Sequence, residues 1–391
     1  YFSLLFLDNI LDTSRCVVHA FGSIVTGLGI RTSDVDCYVS LPNWEKSPAN
    51  RIVMKAKHIL ARYRDIFIEL FAIPMAKVPI VKFYHTPTQR YCDVNFKSPA
   101  GVENSKLIAY LLHTDERALP FAVLIKYWAK IHELTGTNLV PNYTMIMLGI
   151  FYLQQVRILP SVYSLQMSSE CRWVENWNVA FSDINHGTTN DDTIYELVGG
   201  FFEFYSSFDF QGLIISPFLG QSVRKELFKD LYDVPELFHI YKANVRRKAC
   251  PLLKTDTLLC VQDPFDHSRN CSVAVYPKLI HKMQTLFRSA TNYFKEDTNE
   301  NFLRLILTPL KDKAINGLSK KKRRSKVAKQ KHTYQPLNRK TALALFTEYT
   351  HQILHLKRKA RCYAAFLVCY LDPLRECETT FCKQKKIVLP A

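Results

Sequence analysis

The sequence lacks any long uninterrupted apolar stretch. Its longest nearly uncharged apolar runs, 143–153 and 363–371, are shorter than the roughly 20 residues that a membrane-spanning helix needs. No membrane segment is therefore expected. Because 48% of the 391 residues are hydrophobic, wholesale disorder is excluded as well, and the chain is long enough to form two or three globular domains.

Closely spaced cysteine pairs are also absent. None of the 11 cysteines belongs to a Cys-x-x-Cys pair, and their spacings suit neither a zinc site nor a compact disulfide framework. Reduced thiols are expected, packed as small buried hydrophobes. This usage is typical of a cytosolic or nuclear protein, and we expect a cytoplasmic location, with nuclear import through the basic run 320–324 as the alternative.

Acidic side chains are scarce at the C-terminal end. Residues 311–391 hold 20 of the 52 Lys and Arg residues but only 5 of the 35 Asp and Glu residues. A dense cationic segment favours polyanions through phosphate neutralisation and counterion release. We interpret 311–340 as a basic linker and 341–391 as a helical C-terminal extension. The linker either guides a polyanion, carries the import signal, or is simply solvated.

The stretch 17–40 has the pattern of a strand, a tight turn and a second strand. Apolar residues 17–21 lead into Gly22-Ser23, and the second strand alternates Val35, Cys37 and Val39 with polar positions. Residues two apart in a strand point to the same face. Asp34 and Asp36 therefore present two carboxylates side by side, an arrangement that is costly unless cations neutralise it.

Further along, the pattern alternates between helices and strands. Helical spacing predicts helices over 2–11 and 52–71. Two strands, 78–84 and 90–96, are separated by a short loop that is typical of a hairpin, and the second strand carries Asp93.

From about residue 104 to residue 244 helical spacing dominates. Helix faces are visible over 107–113, 119–133 and 143–158. A mixed α/β part is thus followed by a helical part, and no internal repeat is detectable.

A Gly-Ser turn beside a carboxylate pair is suited to phosphoryl or nucleotidyl transfer. Carboxylates can hold two divalent ions, and the amides of Gly22 and Ser23 can approach a phosphate closely because glycine carries no side chain. Taken alone, an Asp-x-Asp pair is more often an exposed surface feature. Asp93 on a nearby strand supplies a third carboxylate and favours the metal-binding interpretation.

The motifs then resemble a known family. His19-Ala20-Phe21-Gly22-Ser23, followed after ten residues by Asp34-Val35-Asp36, resembles the signature of the DNA polymerase β-like nucleotidyltransferase superfamily. More narrowly, it resembles the template-independent RNA uridylyltransferases and their poly(A) polymerase relatives. The resemblance covers most of residues 1–300 and continues, in the family's order, at 78–83, 92–96, 126–130, 142–143 and 263–266.

The resemblance implies an α+β fold. A small mixed-sheet nucleotidyltransferase catalytic domain, expected over 12–103, would be joined to a mostly α-helical central domain of the poly(A) polymerase-associated type. The central domain would comprise 1–11 and 104–310, with a nucleotide-recognition loop at 258–271. The active-site cleft would lie between the two domains.

The resemblance also assigns roles to individual residues. Two Mg²⁺ (or Mn²⁺) ions would be held by three carboxylates, Asp34, Asp36 and Asp93, with Asp93 helping to deprotonate the RNA 3′-hydroxyl. The nucleotide-binding residues would be Gly22, Ser23, Lys126 and Lys130 on the triphosphate, Asn104 and Ser105 on ribose and base, and Tyr143 stacking under the base. Asn142 precedes Tyr143 at the family's Ser-Tyr position.

Elementary chemistry agrees with several of these roles and leaves a plainer alternative for each. Lys126 and Lys130 are four residues apart, so they share one helix face and can act on phosphates, but exposed lysines are also common. Tyr143 offers a stacking surface for any base, or it is simply part of the core. Asp93 could equally be an exposed edge residue.

Base selection depends on residues 263–270. Many uridylyltransferases carry His at the position of Arg269, and here a histidine, His267, lies two residues earlier. Asp266 could accept the uracil N3–H, a donor that adenine lacks, and Arg269 could oppose the larger base. We expect a monomeric uridylyltransferase that adds UMP from UTP to a single-stranded RNA 3′ end. The alternatives are an ATP-using poly(A) polymerase and an inactive RNA-binding relative.

Overall fold

The computed structural model describes residues 16–30, 33–136, 138–182, 187–298 and 301–308, all within one compact unit, Tyr1–Asn316. The expected helix at 2–11, the basic linker at 311–340 and the C-terminal extension at 341–391 lie outside the described residues. The described residues contain both parts that the sequence predicts, the mixed α/β part and the helical part.

The first part contains five strands and one helix. In chain order they are β1 (Val17–Phe21), β2 (Val35–Ser40), α1 (Ala49–Leu60), β3 (Phe67–Ile73), β4 (Ile80–His85) and β5 (Arg90–Asn95). The second part is mostly helical and includes two short hairpins. Its elements are α2 (Ala100–Thr114), α3 (Ala118–Ile131), α4 (Asn142–Gln155), α5 (Val162–Met167), β6 (Trp173–Val174), β7 (Trp177–Asn178), α6 (Ile194–Ser206), β8 (Leu213–Ser216), β9 (Gln221–Arg224), α7 (His239–Arg246), α8 (Pro277–Lys295) and α9 (Phe302–Ile306).

The five-stranded sheet has the order β1-β2-β5-β4-β3. Strands β2 and β5 run parallel, and the other neighbouring pairs are antiparallel. Alternation along the strands sends Cys37, Val39, Val81 and Phe83 into a core against α1. The opposite face carries Asp36 and Asp93 and is the open face of the sheet.

Helix α1 covers one face of the sheet because its apolar residues recur at helical spacing. Ile52, Val53, Ala56, Ile59 and Leu60 are all buried. The sequence-based prediction extended this helix to residue 71, which is wrong over its last part.

Residues 67–73 instead form strand β3, which pairs with β4. Backbone pairing with a neighbouring strand overrides a weak local preference.

The helical part has its own larger core, separate from that of the sheet. Large aromatic side chains fill it, among them Trp128, Phe201, Phe202 and Phe287. Thr193 caps α6 in a reciprocal arrangement with Glu196, so the helix begins at a defined residue. The helices predicted at 107–113, 119–133 and 143–158 correspond to α2, α3 and α4, each with shifted ends.

The α+β class inferred from the sequence is confirmed by this arrangement of elements. Among the described helices, none combines the length and the apolar character that crossing a membrane would require. Among the cysteines in the described part of the chain, Cys16, Cys37, Cys92 and Cys260 are buried, as expected for small apolar side chains, whereas Cys171 is exposed.

Candidate active site

Two of the candidate catalytic carboxylates lie side by side on the open face of the sheet. Asp36 on β2 and Asp93 on β5 are direct partners in the parallel register. Asp34 lies just ahead of β2 and is exposed. The sequence predicted Asp34 and Asp36 on one face; the structure adds that Asp93 adjoins Asp36.

Burial and mutual repulsion shift the proton affinities of this group. Burial above all, and then the neighbouring charges of Asp93 and Asp34, raise the pKa of Asp36 to about 7. Burial also raises the pKa of Asp93, while Lys82 acts in the opposite direction. A group of carboxylates whose pKa values are raised in this way is one that added positive charge would stabilise.

Lys82 supplies one such charge. It lies opposite Asp93 in the β4–β5 pair, and its Nζ is 2.5 Å from Oδ2 of Asp93. Both side chains are about one quarter exposed, at 27% and 21%. Lys82 is not among the site residues predicted from the sequence, although it lies on the predicted strand 78–84, which pairs with the strand of Asp93.

The carboxylates are not arranged around a common point in the way that metal ligands are. Among the described residues, no group of three or more His, Cys, Asp or Glu side chains is arranged to hold a metal ion. However, Oδ1 of Asp93 is buried without a hydrogen-bond partner, which is costly for a carboxylate. The hard oxygen donors and this unsatisfied atom fit Mg²⁺, and Lys82 holds the other oxygen of Asp93, Oδ2.

The turn after β1 is built around Gly22. Its φ is +77°, and a Cβ placed there would lie 2.3 Å from Oδ2 of Asp36. Only glycine therefore fits beside the carboxylate. Residues Gly22–Ile24 form a short 3₁₀ turn, which carries Ser23 next to Asp36.

Helix α2 supports this turn. The hydroxyl of Ser105 accepts a hydrogen bond from the backbone N–H of Gly22 at 2.8 Å and donates one to the carbonyl of Gly101 at 2.7 Å. A Cβ on Gly101 would lie 2.7 Å from the ring of Phe21, so the helix packs closely on β1. The resemblance places Ser105 on the ribose, but here its hydroxyl holds the turn.

The two lysines predicted to bind the triphosphate lie on α3. Nζ of Lys126 donates to the carbonyl of Leu28 at 2.6 Å, near the end of the loop that follows the Gly22 turn. Burial, together with the nearby charge of Lys130, lowers the pKa of Lys126 to about 8. Lys130 lies one turn later and is exposed. The structure thus brings Lys126 to the turn and leaves Lys130 nearer the solvent.

Asp263 organises the loop predicted to recognise the base. Its side chain is buried, and Oδ2 accepts hydrogen bonds from the hydroxyl of Tyr143 and from Nδ2 of Asn104, each at 3.1 Å. Oδ1 accepts from the backbone N–H groups of Phe265 and Asp266. Asp263 therefore fixes the loop, α2 and α4 relative to one another.

A small cavity of about 40 Å³ opens beside this loop. One wall is formed by the loop and α2, and the other by the β6–β7 hairpin. Its lining residues are Ala100, Asn104, Val174, Glu175, Trp177, Val179, Asp263, Phe265, Asp266 and Arg269. The hairpin residues were missed by the sequence analysis, because two strands of two residues each leave almost no periodic signal.

The hairpin is tied to α2 by charge. Arg172, just before β6, forms an ion pair with the buried Glu103, which also pairs with Lys106. These partners lower the pKa of Glu103 against the opposing effect of its burial. At the tip, Glu175 and Asn176 have φ values of +49° and +70°, which is the backbone of a tight two-residue hairpin turn.

Asp266 and Arg269 both line the cavity. Burial raises the pKa of Asp266, while Ser268 acts against this by donating to Oδ1 through its N–H and its hydroxyl. Burial lowers the pKa of Arg269, but the nearby carboxylates, above all Asp263, outweigh it. Its guanidinium is 5.7 Å from the centre of the Tyr143 ring, within the range of a cation–π contact.

The other base-recognition candidate, His267, is not in the cavity. It is buried, with ring neighbours Phe218, Phe238 and Trp177. Burial lowers its pKa to about 3, so it stays neutral inside the core.

Asn142 is the first residue of α4 and is exposed. The structure therefore joins Asn104, Tyr143, Asp266 and Arg269, and leaves His267 and Asn142 aside.

Two protein-family models match separate parts of the chain. The central palm domain of mitochondrial-like poly(A) RNA polymerases matches residues 6–113, and the Cid1 family poly A polymerase model matches residues 193–269. These ranges contain the carboxylate group and the Asp263 loop, respectively.

Curated relatives and solved structures agree with these matches. The Speckle targeted PIP5K1A-regulated poly(A) polymerase of Bos taurus is 28% identical over 56% of this chain and 24% of its own length. The poly(A) RNA polymerase cid11 of Schizosaccharomyces pombe is 24% identical over 74% of this chain and 56% of its own length. This chain thus spans about a quarter of the first relative and just over half of the second.

The fold is also that of solved nucleotidyltransferases. The apo form of mtPAP matches 78% of this chain and 67% of its own with a TM-score of 0.66 at 20% identity. The Cid1 poly(U) polymerase with MgGTP bound matches 78% of this chain and 88% of its own with a TM-score of 0.62 at 19% identity. The fold is therefore a mixed α/β nucleotidyltransferase palm followed by a helical central domain, as in the solved structures of mtPAP and Cid1.

Proposed function

We propose that this protein is an RNA 3′-terminal uridylyltransferase. It transfers UMP from UTP to a single-stranded RNA 3′ end without a template and releases pyrophosphate. One observation carries the proposal: α2 holds together a carboxylate pair on the sheet, Asp36 and Asp93, and a small cavity lined by Asp266 and Arg269.

Each part of this arrangement has a task in the reaction. Asp34, Asp36 and Asp93 would hold two Mg²⁺ ions, which when bound polarise the phosphoryl oxygens and lower the pKa of the attacking hydroxyl. The turn at Gly22-Ser23 and the ammonium of Lys126 hold the triphosphate. Asp93 would accept the proton of the RNA 3′-hydroxyl. The 3′-oxygen then forms a bond to the α-phosphorus, the bond from that phosphorus to the oxygen bridging it to the β-phosphorus breaks, and pyrophosphate leaves.

The base is held by Tyr143 and the cavity. Stacking on an aromatic ring positions any base without reading its identity. Because Ser268 engages Oδ1 of Asp266, Oδ2 is the oxygen that can accept from a base. Uracil offers an N3–H donor to a carboxylate, whereas the corresponding edge of adenine presents an acceptor at N1. The carboxylate therefore favours UTP.

The principal alternative is ATP. The curated relatives described above are named poly(A) polymerases, and one of the matching solved structures is a poly(U) polymerase. Arg269 can donate to the adenine N1 acceptor if it leaves Asp263, from which it is separated by 3.5 Å. UTP and ATP would thus occupy the same cavity but bind different side chains, Asp266 for uracil and Arg269 for adenine.

The deciding experiment is a competition between UTP and ATP at equal concentration with a labelled single-stranded RNA and Mg²⁺. UTP incorporation should dominate, and Asp266→Asn should reduce that preference, since the amide can no longer act only as an acceptor. Dominant ATP incorporation would replace the uridylyl assignment with the adenylyl one. No extension with any nucleotide would leave an inactive RNA-binding relative, the remaining candidate.

Cellular location and oligomeric state belong to the proposal as well. We expect a monomer acting in the cytoplasm, with residues 320–324 directing a nuclear fraction if they serve as an import signal. Fluorescence microscopy of the full chain with and without substitution of this run tests the location, and light scattering tests the oligomeric state.

A further inference from the structure

The open face of the sheet carries exposed aromatic and aliphatic side chains on β3, β4 and β5. Phe71 is 46% exposed, Ile68 is 39% exposed and Tyr91 is 43% exposed. Tyr84 lies beside Tyr91, with ring centres 5.1 Å apart in an edge-to-face arrangement. The solvent-facing side of an antiparallel sheet is normally polar, so this surface needs an explanation.

The register connects this surface directly to the carboxylates. Phe71 pairs with Lys82, Lys82 with Asp93, and Asp93 with Asp36, so the four residues form one row across four strands. The adjacent row contains Ile68, Tyr84 and Tyr91. Asp34 acts electrostatically on both Tyr91 and Asp93, which places this second row beside the third carboxylate.

The Tyr91 ring is held in place by a feature of β3. Between Ile68 and Phe71 this strand contains one residue more than β4 does, and Glu69 has a φ of +50°. Such a bulge changes the direction of a side chain, here that of Glu69. The positive φ is costly for glutamate, so this conformation must be held by the surrounding structure. The carboxylate of Glu69 accepts the Tyr91 hydroxyl hydrogen bond at 2.9 Å, which fixes the ring on the open face.

We propose that Tyr84 and Tyr91, with Phe71 beside them, are the stacking surface for the last bases of the acceptor RNA. The inference rests on the proposed nucleotidyl transfer. The incoming nucleotide lies on the β1–β2 side, where the Gly22 turn and α2 meet. The acceptor strand must bring its 3′-oxygen to Asp93 from the opposite side of the carboxylates, and that side is β5, β4 and β3.

The chemistry of the surface suits single-stranded nucleic acid. Aromatic rings stack on unpaired bases without reading their identity. Lys82 lies between Phe71 and Asp93 in this row and is already paired with Asp93, so the surface offers rings for stacking rather than a further cation. Rings on two neighbouring strands can each take one base of a single strand, because successive unpaired bases are free to turn toward them.

Binding of a 5′-labelled single-stranded 15-nucleotide RNA, measured by fluorescence anisotropy without nucleotide, tests the proposal. Tyr91→Ala and Tyr84→Ala should each weaken binding about tenfold. Tyr91→Phe keeps the ring and should bind within about twofold of the parent. Tyr232→Ala removes a tyrosine that is 87% exposed in the helical part and should have no effect. The affinity for UTP should be the same in all five proteins.

A crosslinking measurement on the unmodified protein keeps the test independent of variant folding. RNA with 4-thiouridine near its 3′ end should crosslink to the peptides that contain Tyr84 or Tyr91. Crosslinks confined to other peptides, or wild-type binding by the Tyr84→Ala/Tyr91→Ala protein, would overturn the proposal even if extension proceeds normally. Crosslinks at Tyr91 without extension by any nucleotide would refute the transferase function and retain the RNA surface.

Discussion

Lys82 and Asp93 form an ion pair across β4 and β5, in which the lysine holds Oδ2 while Oδ1 is buried without a hydrogen-bond partner. The lysine lowers the pKa of both Asp93 and Asp36. It therefore acts as an internal counter-charge for the carboxylate group. Its removal should destabilise the protein most when no divalent ions are bound.

Lys82→Met should lower the melting temperature of the protein in EDTA. The pair is only partly exposed, so its loss should cost about 1–3 kcal/mol, between the values for surface and buried pairs. Mg²⁺ should restore most of the loss. The double variant Lys82→Met/Asp93→Asn should melt closer to the parent than Lys82→Met does, because it no longer leaves an unpaired charge. Equal melting of Lys82→Met and the parent in EDTA would refute the counter-charge role.

Asp36→Asn should abolish extension and yet stabilise the metal-free protein at pH 8. The folded-state pKa of Asp36 is about 7, against an ordinary value of 3.8, so the folded protein retains a proton that the unfolded chain releases. Stability is lost as the pH rises from about 4 through 7. Asparagine carries no charge and avoids this loss.

The measurement is thermal melting in EDTA at pH 4, 6 and 8, with pH values chosen to bracket this window. The melting temperature of Asp36→Asn should exceed that of the parent by a few degrees at the highest pH and approach it at the lowest. The control is Asp191→Asn, at an exposed position, which should follow the parent throughout. A difference that does not depend on pH would contradict the assignment.

The affinity for UTP should fall at alkaline pH because Lys126 loses its charge there. Its pKa is about 8, so the ammonium is present below that pH and is lost above it. If it holds the triphosphate, the dissociation constant for UTP should rise about tenfold for each pH unit above 8. Calorimetric titrations of UTP at a series of pH values measure this, and Lys126→Arg, which stays charged, should flatten the rise. An identical slope in the arginine variant would assign the pH effect to another group.

Gly22→Ala should reduce extension about a hundredfold or more, since the new methyl group would displace the Asp36 carboxylate. The positive φ adds roughly 1–2 kcal/mol of strain. Gly187→Ala is the matched control, because a Cβ there meets no atom within 4 Å. Extension rates and melting temperatures of both variants should be compared, and comparable rates would remove the requirement for glycine at position 22.

The elements that the sequence predicted well are those with a strong period. Residues 35–40 alternate strictly, and the pair 80–85 and 90–95 is separated by a short polar loop. Alternation alone placed Asp34 and Asp36 on one face, and local chemistry was sufficient there because each strand buries only one side. The position of Asp93 beside Asp36 comes from the parallel pairing of β2 with β5, which joins strands far apart in the sequence.

The features that the sequence could not predict depend on long-range contacts. Strand β3 was taken as helix because its apolar spacing suits both periods and only its pairing with β4 decides between them. His267 differs from Asp266 by one position, yet one side chain enters an aromatic core and the other lines the cavity. The direction of a loop side chain is set by the surrounding fold, which local sequence does not specify.

Asp263 has a consequence for how selectivity can change in this loop. A carboxylate has about four acceptor positions, and those of Asp263 are taken by Tyr143, Asn104 and two backbone amides. Asp263 has no capacity left for a base, so its contribution is architectural and indifferent to which nucleotide arrives. The side chain of Asp266 can therefore be exchanged without disturbing these four hydrogen bonds, which would allow one scaffold to accept different donor nucleotides. Arg269 lies 3.5 Å from Asp263 and is its counter-charge, so its replacement would also change the support of the loop.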